Sequence, residues 1–370
     1  MTQHIIYKSC QQTQVCQLDY TTLPSLQATL MTIVSPPPAS VQAASLIEQD
    51  CQWLVCVRDL SEEAESNSPA KKTITSSGDA VCVKRVVFSS KSQRRRQVKE
   101  FAQRLNEWHA IAGRELLLPI LAFGLDESPA AISLISPWVG RGQTIMEYIK
   151  ENPAHDRLSS AREVAEAINY LHDTKKGWNT PAFVHGDIRG DNIFVRPGGS
   201  CYLGEFALTC AEPIQEDPSM PATFRHTRWM APERLNPKAF SSYPTDDGSY
   251  ADGKLRTCND IYSLASTIFE ILTGDVPYYQ YHHDAFVTAD ALRGVLPEPQ
   301  DLDKARLSGL TDDIQTLLNR MWSYSPSERL HADTVCRILK TPSSVNKRRP
   351  QRLAPVFAAT AAAAARRLYL

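Results

Sequence analysis

Side chains that can bind a hydroxyl group or a metal ion cluster in one short polar segment, residues 185–193. The segment contains a carboxylate at Asp187, a cation at Arg189 and an amide at Asn192, and an apolar strand pattern follows at 193–195. Carboxylate and amide oxygens accept hydrogen bonds, and hard divalent cations prefer them as ligands. A polar turn between a helix and a strand would have a similar composition, so these residue types alone leave the role of the segment open.

The spacing within the segment, HGDIRGDNI, resembles the catalytic loop of protein kinases, H-x-D-[LI]-[KR]-x-x-N-[IV]. The resemblance implies that Asp187 accepts a hydrogen bond from the substrate hydroxyl and orients it toward the γ-phosphate of ATP. It also implies that Asn192 holds a metal ion through its amide oxygen. Arg189 is the basic residue of the pattern, and we include it in the catalytic group.

Further segments resemble kinase motifs in the order in which the family places them. The strand pattern ending at Lys84 resembles the strand whose lysine reaches the α- and β-phosphates. Glu233 resembles the glutamate at the end of the activation segment, and Arg329 resembles its downstream ion-pair partner. Asp260 resembles the aspartate that braces the backbone of the catalytic loop. Because these motifs occur jointly and in order over about residues 80–340, chance is an implausible explanation.

Longer stretches are similar to the tyrosine-kinase-like group of Ser/Thr kinases, especially as expanded in basidiomycete fungi: LISPWVGRGQTIMEYIKENP, TRWMAPERL and IFEILTGDVPY. The resemblance places Ser136 at the back of the adenine pocket and 137–139 in the hinge. Adenine needs one backbone acceptor and one backbone donor there. Pro137 can supply a carbonyl although it lacks an N–H, and Val139 can supply the N–H. Tyrosine specificity is the lesser alternative, since Arg189 is compatible with either class.

The glutamate that should pair with Lys84 has two candidates. Glu100 lies at about the expected distance after Lys84, and Glu107 lies at about the expected distance before the next strand pattern. Seven residues make nearly two helical turns, so both project from one face of a helix. We favour Glu107.

The metal-binding D-F-G of kinases is replaced by Glu205-Phe206-Ala207. Glu205 retains a carboxylate but displaces it by one methylene, about 1.5 Å. Since Mg²⁺ requires tight octahedral geometry, Mg²⁺ (or Mn²⁺) held by Asn192 and Glu205 should bind more weakly unless the backbone compensates. Ala207 lacks the conformational freedom of glycine, which should restrict movement of this segment.

Protein kinases close a glycine-rich loop over the ATP phosphates. This chain lacks those glycines, because its first glycine is Gly78, which is too near Lys84 to belong to such a loop. The phosphate lid is therefore absent or built from other residues. Gly186 also stands where the family has an arginine that reads a phosphate on the activation loop. Because this arginine is absent, we expect that activation does not depend on its contact with a phosphate on Thr223 or Thr227.

Two hypotheses from different classes follow. The first is an active Ser/Thr kinase with ATP and Mg²⁺ (or Mn²⁺) as cofactors, supported by intact Lys84, Asp187 and Asn192. The second is a pseudokinase that acts as a scaffold or allosteric regulator, supported by Glu205 and the missing glycines. We favour the first, because these three residues are retained. The partner in either case is a protein substrate or a signalling protein.

The strand and helix patterns predict a sheet-rich first part and a larger helical second part. The resemblance implies that these form an α+β, bilobal protein kinase-like fold, with a small antiparallel β lobe carrying one long helix and a larger α-helical lobe. Strand patterns occur at 53–57, 80–88, 115–124 and 130–139, and a helical pattern occurs at 94–111. Helical periods then dominate, with buried stripes that include Val164, Ile168 and Leu171, Ile261 to Leu272, and Ile314, Leu318 and Met321. The expected domains are an N-terminal extension at 1–50, the small lobe at 51–138, the large lobe at 139–340 and a basic, alanine-rich tail at 341–370.

Composition excludes several other classes. The 370 residues carry 40 Lys+Arg against 41 Asp+Glu and are 42% hydrophobic, which argues against a disordered chain and against nucleic acid as a partner. Nine scattered cysteines without a C-x-x-C pair fit a reducing compartment, the cytoplasm or alternatively the nucleus. No apolar run is long enough to predict a membrane span. The basic runs at 94–96 and 347–352 lack interleaved aromatics, and His282-His283 lacks further metal ligands at suitable spacing. The sequence predicts no oligomeric state.

Overall fold

The computed structural model of the chain divides into two compact units. The first comprises Met1–Gln143, Phe194–Gly198 and Tyr202–Gly204, and the second comprises Thr144–Ile193, Gly199–Cys201 and Glu205–Leu370. The domain boundaries expected from the sequence stay predictions. The structure describes residues 2–8, 13–19, 61–62, 70–74, 80–87, 104–105, 107–108, 111, 116–120, 122–127, 130–173, 182–204, 223–252 and 254–341.

A five-stranded antiparallel sheet dominates the first unit, in the order β3-β4-β5-β7-β6. β1 and β2 form a separate antiparallel pair in the N-terminal extension. In the five-stranded sheet, β5 is central and places Lys84 opposite Leu134 of β7 and Ala70 of β4. The strands are β1 (Thr2–Lys8), β2 (Thr13–Asp19), β3 (Ser61–Glu62), β4 (Ala70–Ile74), β5 (Ala80–Val87), β6 (Ala122–Glu127) and β7 (Ala130–Pro137).

The strand patterns at 80–88 and 130–139 are confirmed as β5 and β7. The pattern at 115–124 is wrong in its bounds, because the strand there begins only at Ala122. Leu117 instead forms an isolated parallel bridge with Leu203. Pro119, which lies between the bridge and the strand, has no N–H to donate to a ladder and so interrupts the pairing. The pattern at 53–57 lies outside the described residues.

Of the helix predicted at 94–111, the described residues Arg104, Leu105, Glu107, Trp108 and Ile111 have helical backbone. Leu105, Trp108 and Ile111 are buried, as expected for the apolar face of a helix. The indole nitrogen of Trp108 also donates to the carbonyl oxygen of Leu118 at 3.0 Å. The rest of the pattern lies beyond the described residues.

Helices build the second unit. Among the described residues, the segments between them carry the short 3₁₀ helices Gly190–Asn192, Thr223–Trp229, Pro237–Phe240 and Pro326–Glu328. β8 (Ile193–Val195) pairs with β9 (Cys201–Leu203), and most of both strands belongs to the first unit. The helices are α1 (Ile145–Glu151), α2 (Arg157–His172), α3 (Pro232–Leu235), α4 (Thr257–Thr273), α5 (Asp284–Leu292), α6 (Leu302–Leu307), α7 (Asp312–Met321) and α8 (Ala332–Lys340).

The core of the second unit forms around α4, which is buried along almost its whole length. The stripe from Ile261 to Leu272 predicted from the sequence is confirmed, and so are the stripes on α2 and α7. The helix ends at Gly274, whose positive φ of 81° suits glycine because a Cβ would be strained there. A buried helix of this kind is a rigid support, and Asp260 and Glu270 project from it toward the catalytic loop.

The α+β kinase-like fold class is confirmed by the sheet-rich and helix-rich units. Among the helices that the structure describes, none combines the length and the apolar character needed to cross a bilayer.

Candidate active site

Asp260 of α4 holds the backbone of the catalytic loop. Its Oδ2 accepts the N–H of His185 at 2.7 Å, and its Oδ1 accepts the N–H of Gly186 at 2.8 Å. The ring of His172 contacts the same carboxylate at 2.9 Å. Asp260 is 0% exposed, so these bonds form away from competing water. The bracing role predicted for Asp260 is confirmed.

Gly186 immediately precedes Asp187 and adopts a φ of 78°. This left-handed conformation costs glycine little and is strained for a residue with a Cβ. Glycine at this position therefore lets the loop turn so that Asp260 can bind two successive N–H groups.

The carboxylate of Asp187 is bound on both oxygens. The amide nitrogen of Asn192 donates to Oδ2 of Asp187 at 2.8 Å and to the backbone oxygen of Asp187 at 2.8 Å. Arg189 Nε lies 3.3 Å from Oδ1, and Nδ1 of His226 lies 3.0 Å from the same oxygen. The second nitrogen of the Arg189 fork binds Asp191 at 2.5 Å. The structure thus brings together three of the residues predicted from the sequence, and it adds His226.

The charge state of Asp187 follows from these partners. Burial raises the pKa of a carboxyl, but the hydrogen bond and charge of His226, the charge of Arg189 and the hydrogen bond from Asn192 outweigh it. Together they lower the pKa of Asp187 to about 2. At neutral pH the carboxylate is therefore ionised and can accept hydrogen bonds. Because its side chain is 18% exposed, a hydroxyl group from outside can reach it.

Asn192 fits the metal-binding role that the resemblance implies. It is buried in the 3₁₀ turn that follows Arg189, and its amide nitrogen faces Asp187. The two ends of an amide point in opposite directions, so the oxygen, which is the atom that Mg²⁺ takes, faces away from Asp187. The described residues contain no group of three or more His, Cys, Asp or Glu side chains that could hold a metal on their own.

Glu270 of α4 binds the catalytic loop at Gly190, four residues after the Gly186 N–H that Asp260 accepts. Its Oε2 accepts the N–H of Gly190 at 2.9 Å and the indole N–H of Trp229 at 3.0 Å, and the residue is 2% exposed. Burial raises the pKa of Glu270 to about 8, against the lowering effect of these hydrogen bonds. A Cβ at Gly190 would lie 2.4 Å from Met146 Cγ and 2.9 Å from Glu270 Oε2, so the loop can approach the helix this closely only through glycine.

Sequence reasoning gave no role to His226 or Glu270. His226 lies outside the stretches that carry the resemblance, and Glu270 lies inside the stretch IFEILTGDVPY without being one of its functional residues. A glutamate within the apolar stripe of α4 was the available signal for Glu270, since a buried carboxylate requires partners.

The end of the activation segment is fixed by a buried ion pair. Arg329 binds both carboxylate oxygens of Glu233, at 2.6 and 2.8 Å, and both side chains are almost fully buried. Asn259 donates to Glu233 at 2.5 Å, and Arg329 donates to the carbonyl oxygen of Ser323 at 2.9 Å. The pairing of Glu233 with Arg329 predicted from the sequence is confirmed.

Arg228, in the same segment, donates hydrogen bonds to three backbone carbonyl oxygens of the loop after α4. Its guanidinium donates to the oxygens of Pro277, Tyr278 and Tyr281 at 2.9, 2.7 and 2.6 Å. Tyr278 has a φ of 55°, an uncommon conformation for a residue with a side chain. The guanidinium therefore helps to hold a strained turn next to the segment that carries His226.

The nucleotide-binding residues predicted in the first unit are placed by its sheet. The backbone of Lys84 lies in the middle of β5, and Pro137 ends β7, where it pairs with Val81. Val139 is buried, and its carbonyl oxygen accepts the N–H of Gly142 at 2.7 Å. Glu107 lies on helical backbone, whereas Glu100 and Glu205 lie outside the described residues. The pairing of Lys84 with Glu107 and the role of Glu205 stay predictions.

Comparison with known proteins agrees with this geometry. The family model described as "Protein kinase domain" matches residues 67–339. "Mitogen-activated protein kinase kinase kinase 9" of Arabidopsis thaliana is 27% identical over 265 residues, which are 70% of this chain and 29% of that protein. "Mitogen-activated protein kinase kinase kinase 1" of Arabidopsis thaliana is 31% identical over 45% of this chain and 23% of that protein. "Kinase suppressor of Ras A" of Caenorhabditis elegans is 26% identical over 46% of this chain and 20% of that protein.

The chain spans less than a third of the length of these curated relatives. The expansion in basidiomycete fungi stays a prediction. The match of the kinase model to about three quarters of the chain, together with these relatives, shows that the chain belongs to the protein kinase family and to its tyrosine-kinase-like group.

Proposed function

We propose that the chain transfers the γ-phosphoryl group of ATP to the hydroxyl of a serine or threonine in a protein substrate. The observation that supports this most is the ionised carboxylate of Asp187, bound by Asn192 in a loop that the buried Asp260 braces. Phosphoryl transfer depends on positioning and on electrostatic stabilisation, and both need a rigid loop of this kind.

Each residue of the proposed site has one task. Lys84, paired with Glu107, contacts the α- and β-phosphates, while the Pro137 carbonyl and the Val139 N–H bind adenine. Asn192 and Glu205 hold Mg²⁺ or Mn²⁺, which neutralises negative charge on the phosphates when it is bound. Asp187 accepts the hydrogen bond of the substrate hydroxyl, and Arg189 keeps that carboxylate ionised.

A second candidate is a scaffold or allosteric regulator with little or no turnover. Glu205 and Ala207 in place of the usual D-F-G residues favour it, and so does the lack of any glycine before Gly78. Both candidates share the braced catalytic loop, so they differ in how the chain handles ATP and metal.

A thermal-shift titration with ATP and either Mg²⁺ or Mn²⁺ tests nucleotide binding. A ligand that binds only the folded state raises its stability, by about 2.7 kcal/mol at a ligand concentration 100 times Kd. We expect stabilisation of the wild-type chain and of the exposed-lysine control Lys238→Ala, and its loss in Lys84→Ala. A wild-type chain that is not stabilised under any of these conditions would contradict ATP-dependent function.

Transfer of radiolabelled phosphate from ATP to myelin basic protein, used as a general acceptor, then separates the two candidates. Phosphorylation of Ser and Thr in the acceptor supports the kinase. ATP-induced stabilisation without any transfer supports the regulator.

A further inference from the structure

The 3₁₀ helix Thr223–Trp229 brings a histidine to the carboxylate of the proposed catalytic aspartate. Nδ1 of His226 lies 3.0 Å from Oδ1 of Asp187, and the His226 side chain is 34% exposed. Arg228 fixes the same segment to the loop after α4, because its guanidinium donates to three backbone carbonyl oxygens of that loop. The contact therefore occurs between two braced segments.

The direction of this hydrogen bond follows from the charge of Asp187. An ionised carboxylate can only accept, so Nδ1 of His226 must carry the proton and donate. Either the imidazolium or the neutral ring with its proton on Nδ1 meets that requirement.

His226 occupies one of the hydrogen-bond acceptor positions of the Asp187 carboxylate. Each carboxylate oxygen offers about two lone-pair positions. Arg189 Nε and His226 Nδ1 take both positions on Oδ1 of Asp187. Asn192 Nδ2 takes one position on Oδ2. Among the contacts of the described residues, a single position on Oδ2 is left for an incoming hydroxyl group.

We propose that His226 is a positioning residue of the phosphoryl-transfer site, which fills Oδ1 of Asp187 and so directs the substrate hydroxyl to Oδ2. This inference rests on the proposed kinase function. In the step that it serves, the hydroxyl oxygen forms a bond to the γ-phosphorus, and the bond between that phosphorus and the ADP oxygen breaks. The hydroxyl proton passes to Oδ2 of Asp187.

Without His226, Oδ1 would have an open position of its own. The hydroxyl could then bind either oxygen, and only one of the two bound geometries would lead to transfer. A misplacement of about 1 Å at a reacting group can slow a reaction about 100-fold. Binding of the rest of the protein substrate should not change, because the side-chain contact of His226 within the described part of the chain is with the Asp187 carboxylate.

The test compares His226→Leu, which removes the donor, with His226→Asn, whose amide nitrogen occupies the position of Nδ1. His282→Leu is the matched control, since His282 is an exposed histidine of the same unit. The assay measures kcat and KM for phosphate transfer to myelin basic protein, together with the ATP-induced thermal shift.

We expect His226→Leu to lower kcat by at least about two-fold, the loss when the hydroxyl divides equally between the two oxygens, and by at most about 100-fold, with KM for the acceptor and the ATP-induced shift unchanged. His226→Asn should recover most of the lost kcat, and His282→Leu should match the wild type. If His226→Leu does not fold, His226→Ala replaces it as the variant without a donor.

Wild-type kcat in the variant that lacks the donor would overturn the inference alone. So would an Asn variant as slow as the Leu variant, or a rise in KM at constant kcat. A wild-type chain that binds ATP but transfers no phosphate would overturn the catalytic part of the proposed function, and the inference with it.

Discussion

One carboxylate belongs to the catalytic loop and another binds the backbone of that loop from α4, and their pKa values shift in opposite directions. Asp187, in the loop, has a side chain that is 18% exposed and a pKa lowered to about 2. Glu270, on α4, is 2% exposed, and its pKa is raised to about 8. Burial raises the pKa in both cases, so burial alone does not explain the difference.

The hydrogen-bond partners and nearby charges of the two carboxylates explain the opposite pKa shifts. Asp187 receives a hydrogen bond from Asn192 and contacts two basic side chains, Arg189 and His226. Glu270 receives only uncharged N–H donors, and the nearby charge of Asp191 raises its pKa further. The loop therefore has an ionised acceptor where a substrate can reach it and a largely neutral acid in the protein interior. The first carboxylate is therefore placed for the proposed transfer reaction, and the second stabilises the loop.

The largest effect is expected from Asp187→Asn. The amide retains the size of the side chain but loses the negative charge and one acceptor, so the substrate hydroxyl is no longer oriented or deprotonated. General-base contributions are about 10²- to 10⁴-fold, and we expect kcat for phosphate transfer to fall within that range.

Asp313→Asn is the matched control for this prediction, because Asp313 is an exposed aspartate in the first turn of α7. The control should retain wild-type kcat. Transfer that survives Asp187→Asn at the wild-type rate would exclude Asp187 as the catalytic residue.

The next largest effect is expected from Glu270→Leu, and it concerns stability. Leucine cannot accept the N–H groups of Gly190 and Trp229, and each buried donor without a partner costs about 1–3 kcal/mol. We expect the free energy of unfolding in urea to fall by about 2–4 kcal/mol. Glu270→Gln keeps an acceptor oxygen and should lose less than about 1 kcal/mol near pH 6. Equal losses in the two variants would show that the hydrogen bonds do not matter.

Sequence reasoning succeeded where a motif fixes both a residue and its partner. The ion pair between Glu233 and Arg329 and the bracing role of Asp260 were both predicted, because the resemblance names both members of each contact. The helices were predicted because their apolar stripes follow the helical period over several turns.

Contacts formed by residues outside the motifs could not be predicted. His226 and Asp187 are 39 positions apart, and only the folded backbone brings them within 3.0 Å. The opposite pKa shifts of Asp187 and Glu270 depend on neighbours that the sequence does not identify. The strand expected at 115–124 had wrong bounds because its apolar residues belong partly to a bridge and partly to β6.

The pH dependence of stability is a smaller effect for each pH unit. Glu270 has a pKa of about 8 in the folded chain against an ordinary value of 4.5. Between these values the folded state binds the extra proton, so stability falls as pH rises, by at most about 1.4 kcal/mol per pH unit. The contribution of Asp187 has the opposite sign and is lost only as pH falls from about 4 toward 2.

Urea unfolding of the wild type and of Glu270→Gln between pH 5 and 8 measures this effect. The Gln variant should gain stability relative to the wild type as pH rises across that window. Parallel curves for the two proteins would mean that Glu270 titrates near its ordinary value.

The smallest effect is expected from Trp229→Phe, which removes one of the two donors to Glu270. Losing a hydrogen bond of this kind costs about 1 kcal/mol, and the loss should appear in urea unfolding. The pKa of Glu270 should rise further, since that hydrogen bond lowers it. In the Glu270→Leu background the same substitution should cost less, because it removes a donor that already lacks its acceptor. A double-mutant cycle should therefore give a coupling of about 1 kcal/mol between the two positions, and strict additivity would contradict the role of Trp229 as a partner of Glu270.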